Sequence, residues 1–157
     1  MPIELPVSWI VILNVVLWPL VQMALAWVFI RMPAAWFNPP ASSESVGFYE
    51  RCLGIKHWKD RLPDGGSWFG GGFAKSRMSA ADSAYLGRYI VETWRGELCH
   101  YCAFVFVPMF FLWNPWWGNL VMVCYAIIAI APCISVQRDN RIRLRRLLKR
   151  IQETPSQ

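Results

Sequence analysis

The chain has 157 residues, of which 55% are hydrophobic, with ten tryptophans and a formal net charge of +6. This length predicts a single domain, and so apolar a composition excludes an ordinary soluble protein of the same size. Five cysteines, an odd number, do not make a disulfide framework, and we expect free thiols. We therefore predict one integral-membrane domain of the all-α class, residues 1–157.

Three apolar segments are expected to cross the membrane. The first covers about residues 5–30 and should be kinked by Pro19. Since no Lys or Arg precedes it, a retained helix is favoured over a cleaved secretory leader. The second and third, about 98–113 and 116–136, are separated by the turn-forming Asn114-Pro115 and so predict a helical hairpin.

The basic residues predict the orientation of these spans. Nine of the sixteen Lys and Arg lie in Arg31 to Arg95 and seven in Arg138 to Arg150. None remains for the amino terminus or the hairpin turn, which is a strong positive-inside pattern. We predict a multi-pass protein of the cell membrane with its amino terminus outside, a cytoplasmic region at 31–97 and a cytoplasmic tail at 137–157. Basic flanks also contact anionic lipid headgroups, whereas no motif supports binding to nucleic acid.

The cytoplasmic region is expected to be helical with loops. Ser45 is a candidate N-cap for a short helix that runs to Leu53. A second helix should begin at Ala80 or Asp82, reach Glu97 and continue into the membrane. The glycines between these helices match neither a P-loop nor a dinucleotide fingerprint, so a flexible loop is favoured there.

A dense charged block follows the short helix. Lys56, Lys59 and Arg61, with Asp60 among them, exceed what a loop needs for solubility. Two interpretations remain open. The cations bind lipid headgroup phosphates, or they bind the phosphates of an acyl donor such as coenzyme A.

Ionisable residues run directly into an apolar span between Glu92 and Asn114. On a helix Glu92, Arg95, Glu97 and His100 fall within about two turns, and Glu97 and His100 share a face. Such groups at the mouth of a membrane helix are costly unless they are paired or used. The residues alone leave open a solvated cap with a structural histidine and a catalytic site.

Metal binding is not expected at this boundary. Cys99-His100-Tyr101-Cys102 is only half of a zinc knuckle. Glu97-x-x-His100 has the spacing of a di-iron helix, but that architecture needs the motif twice with two further glutamates. We expect neither a metal nor a bound cofactor.

The tail after the third span reads as a basic amphipathic helix lying along the inner leaflet. It is preceded by a group of amide and guanidinium side chains, and arginine forks suit bidentate contact with phosphate or carboxylate. Under the predicted topology this group and Glu97 with His100 lie at the cytoplasmic face and are candidates to line one site. Its members are Gln137, Arg138, Asn140 and Arg141.

Several blocks of the chain, taken in order and spacing, resemble the glycosyl-4,4'-diaponeurosporenoate acyltransferases from Phe48 to Leu144. Departures from the pattern lie at Trp94, Tyr101 and Asp139. The blocks are Phe48-Tyr49-Glu50-Arg51, Ile55-Lys56-x-Trp58-Lys59-Asp60-Arg61-Leu62-Pro63-Asp64-Gly65, Glu92-Thr93-x-Arg95-x-Glu97-x-x-His100, Leu112-Trp113-Asn114-Pro115 and Pro132-Cys133-Ile134-x-x-Gln137-Arg138-x-Asn140-Arg141-x-Arg143-Leu144.

The resemblance implies O-acyl transfer from a thioester donor to a sugar hydroxyl of a glycolipid or glycosylated carotenoid. Acyl-CoA is the expected co-substrate, with an acyl-carrier protein left open, and membrane lipids and the acceptor are the expected partners. A homo-oligomer is also left open. The alternatives are a non-catalytic membrane partner of a lipid-modifying enzyme and a lipid-directed methyltransferase or reductase.

Acyl transfer of this kind needs a base and donors to the developing oxyanion. His100 is the candidate base, and Glu97 would fix its tautomer. Arg95 and Gln137 are the preferred oxyanion donors. The expected catalytic residues are thus His100, Glu97 and Arg95, and the expected substrate-binding residues are Lys56, Lys59, Asp60, Arg61, Glu92, Gln137, Arg138, Asn140 and Arg141.

Overall fold

A computed structural model describes residues 3–41, 46–59 and 83–153. Within these ranges the chain is helical and has no strand, which confirms the all-α class. The α-helices are α1 (Val7–Arg31), α2 (Val46–Leu53), α3 (Ser83–Val105) and α4 (Trp116–Glu153). Short 3-10 helices lie at Ala34–Trp36, Ile55–His57 and Val107–Leu112.

The first helix matches the first predicted span. It has 25 residues, with Pro19 inside it, and is long and apolar enough to cross a membrane. Much of its apolar surface is uncovered by the rest of the protein, as Val7 and Val15 illustrate at 72% and 67% exposed. Such a surface suits a hydrocarbon surrounding.

The second predicted span, 98–113, is not one helix. The α-helix ends at Val105 and is followed by the 3-10 segment, which carries Pro108 near its start. Pro108 lacks the N–H that an α-helix would need there, so one helical hydrogen bond is lost at this point. Among the described residues only α1 and α4 are both long and apolar enough to span a membrane, and three spans are not confirmed.

The third predicted span and the basic tail form a single helix. α4 has 38 residues and continues through Pro132 to Glu153. The tail is amphipathic, as expected, but its apolar face is not left for the leaflet. Leu144 packs with Leu86 and Ile90 of α3, and Ile142 packs in a cluster with Tyr49 of α2. We predicted that the tail lies along the inner leaflet. The structure corrects this, because the apolar face of the tail packs within the protein.

The apolar core lies where α1, the end of α3, the 3-10 segment and the first half of α4 meet. It is built around Phe110, which is fully buried and lies 5.9 Å from Trp18 of α1 between ring centroids. The buried members are Ile10, Trp18, Ala103, Val107, Phe110, Trp113, Met122, Ala126 and Ile130.

A polar clip holds α1 to the hairpin turn at the end of the core. Asn14 and Asn114 exchange two side-chain hydrogen bonds of 2.8 and 3.0 Å, and Trp113 Nε1 donates to Asn14 Oδ1 at 2.9 Å. The backbone N–H of Ile3 donates to Leu112 O at 3.0 Å. The amino-terminal end of α1 and the hairpin turn therefore lie at the same end of the molecule. The opposite end, where Glu97, Arg138 and Arg141 lie, is called the charged end.

Replacing Asn14 with leucine is expected to destabilise the fold by about 1–3 kcal/mol, because Asn114 and Trp113 lose their partners in an apolar setting. The midpoint of thermal unfolding in detergent should fall by several degrees. Gln22→Leu is the matched control, since Gln22 is also a polar residue of α1 but has no hydrogen bond to any described residue. Equal midpoints for the two variants would show that the clip contributes nothing.

Candidate active site

A buried carboxylate joins α3 to α4 at the charged end of the molecule. Glu97 is fully buried. It accepts hydrogen bonds from Arg138 Nε at 2.6 Å and from Arg141 Nη2 at 2.5 Å. Arg138 and Arg141 are three residues apart on α4 and so lie on one face. Two guanidinium groups share one carboxylate, which leaves one positive charge in excess.

Aromatic side chains flank Glu97, Arg138 and Arg141, which we call the Glu97 trio, one turn away on each side. The Arg141 guanidinium lies over the Trp94 ring, 5.1 Å from its centroid. Arg138 Nη2 donates to Tyr101 Oη at 2.8 Å. Two of the positions that depart from the family pattern therefore contact the arginines directly.

A close approach of α3 and α4 places Gln137 beside the trio. A Cβ at Gly96 would lie 3.1 Å from Gln137 Nε2, so the amide occupies the space that glycine leaves. Asn140 is half-buried on the next turn.

A second carboxylate joins α4 to the α2 region. Asp139 is fully buried, and its Oδ2 accepts from Arg143 Nε at 2.9 Å and from Lys59 Nζ at 3.5 Å. Arg143 Nη2 continues to Glu50 Oε1 at 2.6 Å, and Lys56 Nζ lies 2.9 Å from the same oxygen. These two cations hold the pKa of Glu50 below its usual value, with Lys56 the larger cause.

Arg95, an expected catalytic residue, ties α3 to the segment after α1. Its Nη1 lies 3.1 Å from Glu92 Oε2, and its Nη2 donates to the Met32 carbonyl at 3.2 Å. The guanidinium also lies 4.9 Å from the centroid of the Phe37 ring. These contacts give Arg95 and Glu92 a clear part in assembling the charged end.

The predicted pair of Glu97 and His100 does not form. Both carboxylate oxygens of Glu97 are held by the arginines of α4. His100 Nδ1 is buried and has no hydrogen-bond partner. In this structure Glu97 therefore positions Arg138 and Arg141, and the imidazole is left with an open nitrogen.

Unpartnered polar atoms concentrate at this end of the molecule. Of the six buried side-chain N and O atoms without a hydrogen-bond partner among the described residues, five lie at the charged end of α3 and α4. Buried polar atoms in folded proteins are almost always satisfied, so these are the atoms at which water or a polar ligand would complete the hydrogen bonding. The five are Arg95 Nε, His100 Nδ1, Asp139 Oδ1, and Nε and Nη1 of Arg141.

The structure brings most of the predicted site residues to one end of the bundle. Asp60 and Arg61 lie outside the described residues. Lys56 and Lys59 belong to the second carboxylate cluster, whose acceptors Glu50 and Asp139 were not predicted. Among the described residues no three His, Cys, Asp or Glu side chains come together as a metal site would require.

Comparison with known proteins gives the following matches. A family model described as Glycosyl-4,4'-diaponeurosporenoate acyltransferase matches residues 33–150. Curated relatives with this name from Staphylococcus aureus are 30% identical (strain bovine RF122 / ET3-1) and 29% identical (strain USA300) over 102 residues. Each match covers 65% of this chain and 61% of the relative, so the chain spans about three fifths of the relatives' length. No solved structure matches the chain.

Proposed function

Because the chain belongs to the glycosyl-4,4'-diaponeurosporenoate acyltransferase family, we propose that it transfers a fatty acyl group from a thioester donor to a sugar hydroxyl of a glycosylated lipid or carotenoid. The observation that carries the proposal is the concentration of buried, unpartnered polar atoms at the charged end of α3 and α4. Acyl transfer needs a base and hydrogen-bond donors in a site that water does not fill. His100 Nδ1 and the Nε and Nη1 atoms of Arg141, which have no hydrogen-bond partner among the described residues, supply the base and the donors.

Membrane attachment is part of the proposal. α1 and α4 are long and apolar enough to cross a bilayer, and both have exposed apolar faces, such as Val15 on α1 and Ile128 on α4. These faces suit the acyl chain and a lipid acceptor, while the charged end of α3 and α4 suits the polar donor. Acyl-CoA is the donor we propose.

His100 acts as the general base in this reaction. It takes the proton from the sugar hydroxyl while the hydroxyl oxygen attacks the thioester carbonyl carbon. The tetrahedral intermediate then collapses, the carbon–sulfur bond breaks, and the imidazolium returns the proton to the leaving sulfur. One ester and one free thiol are formed.

Arg141 is the donor that we assign to the oxyanion that develops on the carbonyl oxygen. Its Nη2 is held by Glu97, while its buried Nε and Nη1 have no partner. Donors that are fixed before the reaction stabilise charge without reorganisation. Arg95 is less suited, because both of its terminal nitrogens are occupied.

Lipid extracts of cells with and without the chain test the proposal. Cells that contain the glycosylated acceptor should gain a species heavier by one fatty acyl chain, and mild alkali should remove the addition because it is an ester. Identical extracts, or a mass gain that alkali does not remove, would contradict the proposed reaction.

The proposed orientation places the hairpin turn outside the cell and α2 inside. Trp116 is 79% exposed at the start of α4, so Trp116→Cys should react with an impermeant thiol reagent added to intact cells. The native Cys52 on α2 is exposed and should react only after lysis. Gly118 does not suit the label, because a Cβ there would lie 3.0 Å from Asn114 Oδ1. Labelling at residue 116 only after lysis would contradict the orientation.

A further inference from the structure

An open cleft of about 290 Å³ lies between α2 and the last turns of α4. Its α4 residues follow the i, i+3, i+4, i+7 spacing, so they come from one face of the helix. The cleft lies on the α2 side of α4, apart from the Glu97 trio, which faces α3. The lining residues are Glu50, Arg143, Arg146, Leu147 and Arg150.

The carboxylates beside the cleft are already neutralised. Arg143 bridges Asp139 and Glu50, and Lys56 and Lys59 reach the same two carboxylates. Three cations therefore share two carboxylates.

Two further cations line the cleft without adding a carboxylate. Arg146 is exposed and makes no hydrogen bond or ion pair within the described part of the chain. Counting Arg146 but not Arg150, the cleft and its immediate surroundings carry two positive charges in excess among the described residues. Guanidinium forks bind phosphate oxygens in a bidentate way, so a phosphate group is the ligand that such a cleft fits.

The position of the cleft along α4 decides between a lipid headgroup and a soluble ligand. At 1.5 Å per residue, Arg143 to Arg150 lie roughly 10 to 21 Å beyond Val136, where the predicted apolar part of α4 ends. Headgroups occupy only about 5–8 Å beyond the hydrocarbon core. A helix that crosses with the usual tilt carries this cleft past the headgroup layer.

We propose that the cleft between α2 and the end of α4 binds the phosphate groups of a phosphorylated thiol donor of the coenzyme A class. The inference rests on the proposed function, because it locates where the donor of that reaction binds. It assigns the phosphates to Arg146 and its neighbours. The sequence left this role open for Lys56 and Lys59, and the structure pairs both lysines with carboxylates.

Equilibrium binding of coenzyme A to the purified full-length chain in neutral detergent tests the cleft without requiring turnover. Arg146→Gln removes an exposed cation that has no partner, so the fold should be unaffected. We expect the Kd for coenzyme A to rise about tenfold, as expected for one charge-assisted hydrogen bond. Lys149→Gln is the matched control, since Lys149 is an exposed cation of the same helix paired with Glu153 and outside the cleft. Its Kd should stay within about twofold of the parent.

Each outcome separates the cleft from the reaction. Equal affinities for the parent and Arg146→Gln, or equal losses in both variants, would overturn the inference. One further result would overturn the inference. If the parent does not bind coenzyme A but binds vesicles of anionic phosphatidylglycerol, and Arg146→Gln loses that vesicle binding, the cleft binds headgroups. Selective loss of coenzyme A binding in Arg146→Gln, together with no acyl transfer by the parent, would support the cleft and contradict the proposed function.

Discussion

Replacing His100 with alanine is expected to lower the turnover of acyl transfer by about two to four orders of magnitude, the usual contribution of a general base. The variant should still fold, because Nδ1 of the parent histidine has no hydrogen bond to lose. Turnover of purified protein, measured at equal amounts of folded parent and variant, gives the comparison. Thermal unfolding of the same samples reports whether the fold is kept.

Cys102→Ala is the control for His100→Ala, since Cys102 is also half-buried on the last turns of α3. Its turnover should stay within about twofold of the parent. A purely structural histidine gives the reverse pattern, with poor accumulation of His100→Ala and near-parental turnover of the protein that survives. That pattern would end the assignment of His100 as the base.

Replacing Glu97 with glutamine is expected to cost about 3–5 kcal/mol of stability, because two arginines lose the buried carboxylate that neutralises them. In glutamine one of the two oxygens that accept from the arginines is replaced by an NH2 group, which donates and cannot accept, and the side chain carries no charge. Denaturant or thermal unfolding of the purified variant measures the loss. From the sequence alone Glu97 was expected to act through His100, and the structure moves its main effect to the fold.

A paired substitution tests whether the cost comes from stranded charge. The double variant Glu97→Leu with Arg141→Leu removes one buried negative charge and one buried positive charge together. The remaining arginine, Arg138, can reach solvent, because its side chain is about one third exposed. The double variant should therefore be more stable than Glu97→Leu alone. A double variant no more stable than the single one, or Glu97→Gln that unfolds like the parent, would contradict the role of the trio in stability.

The helices themselves were largely predictable from local patterns. The first apolar run gave α1 almost to the residue, and the short helix ending at Leu53 was expected and found. Apolar periodicity and turn residues are encoded within a few positions, so they can be recognised without knowing the tertiary contacts. The N-cap assigned to Ser45 lies outside the described residues.

The partners of the amphipathic tail could not be read from its pattern. An apolar stripe at helical spacing looks the same whether it faces a leaflet or another helix. Leu144 packs on α3 because α4 runs on unbroken through Pro132, and the sequence suggested an end near residue 136.

The partners of the candidate-site residues were also not predictable from local patterns. Glu97 and His100 are adjacent on a helix face, which made their pairing the obvious expectation. The actual partners of Glu97 lie 41 and 44 residues away on α4. Asp139 was noticed only as a departure from a family pattern, and its partner Lys59 lies 80 residues away. A single sequence does not encode such distant pairings in any local spacing.

Purified parent protein, supplied with a fatty acyl-CoA and a glycosylated carotenoid, tests the proposed acyl transfer most directly. Ester product is followed by mass spectrometry, and free thiol is measured in the same samples. We expect one thiol released per ester formed, both requiring the acceptor, and both reduced by about two to four orders of magnitude in His100→Ala. Absence of ester from the purified parent, or thiol release that is unchanged when the acceptor is left out, would contradict acyl transfer by this chain.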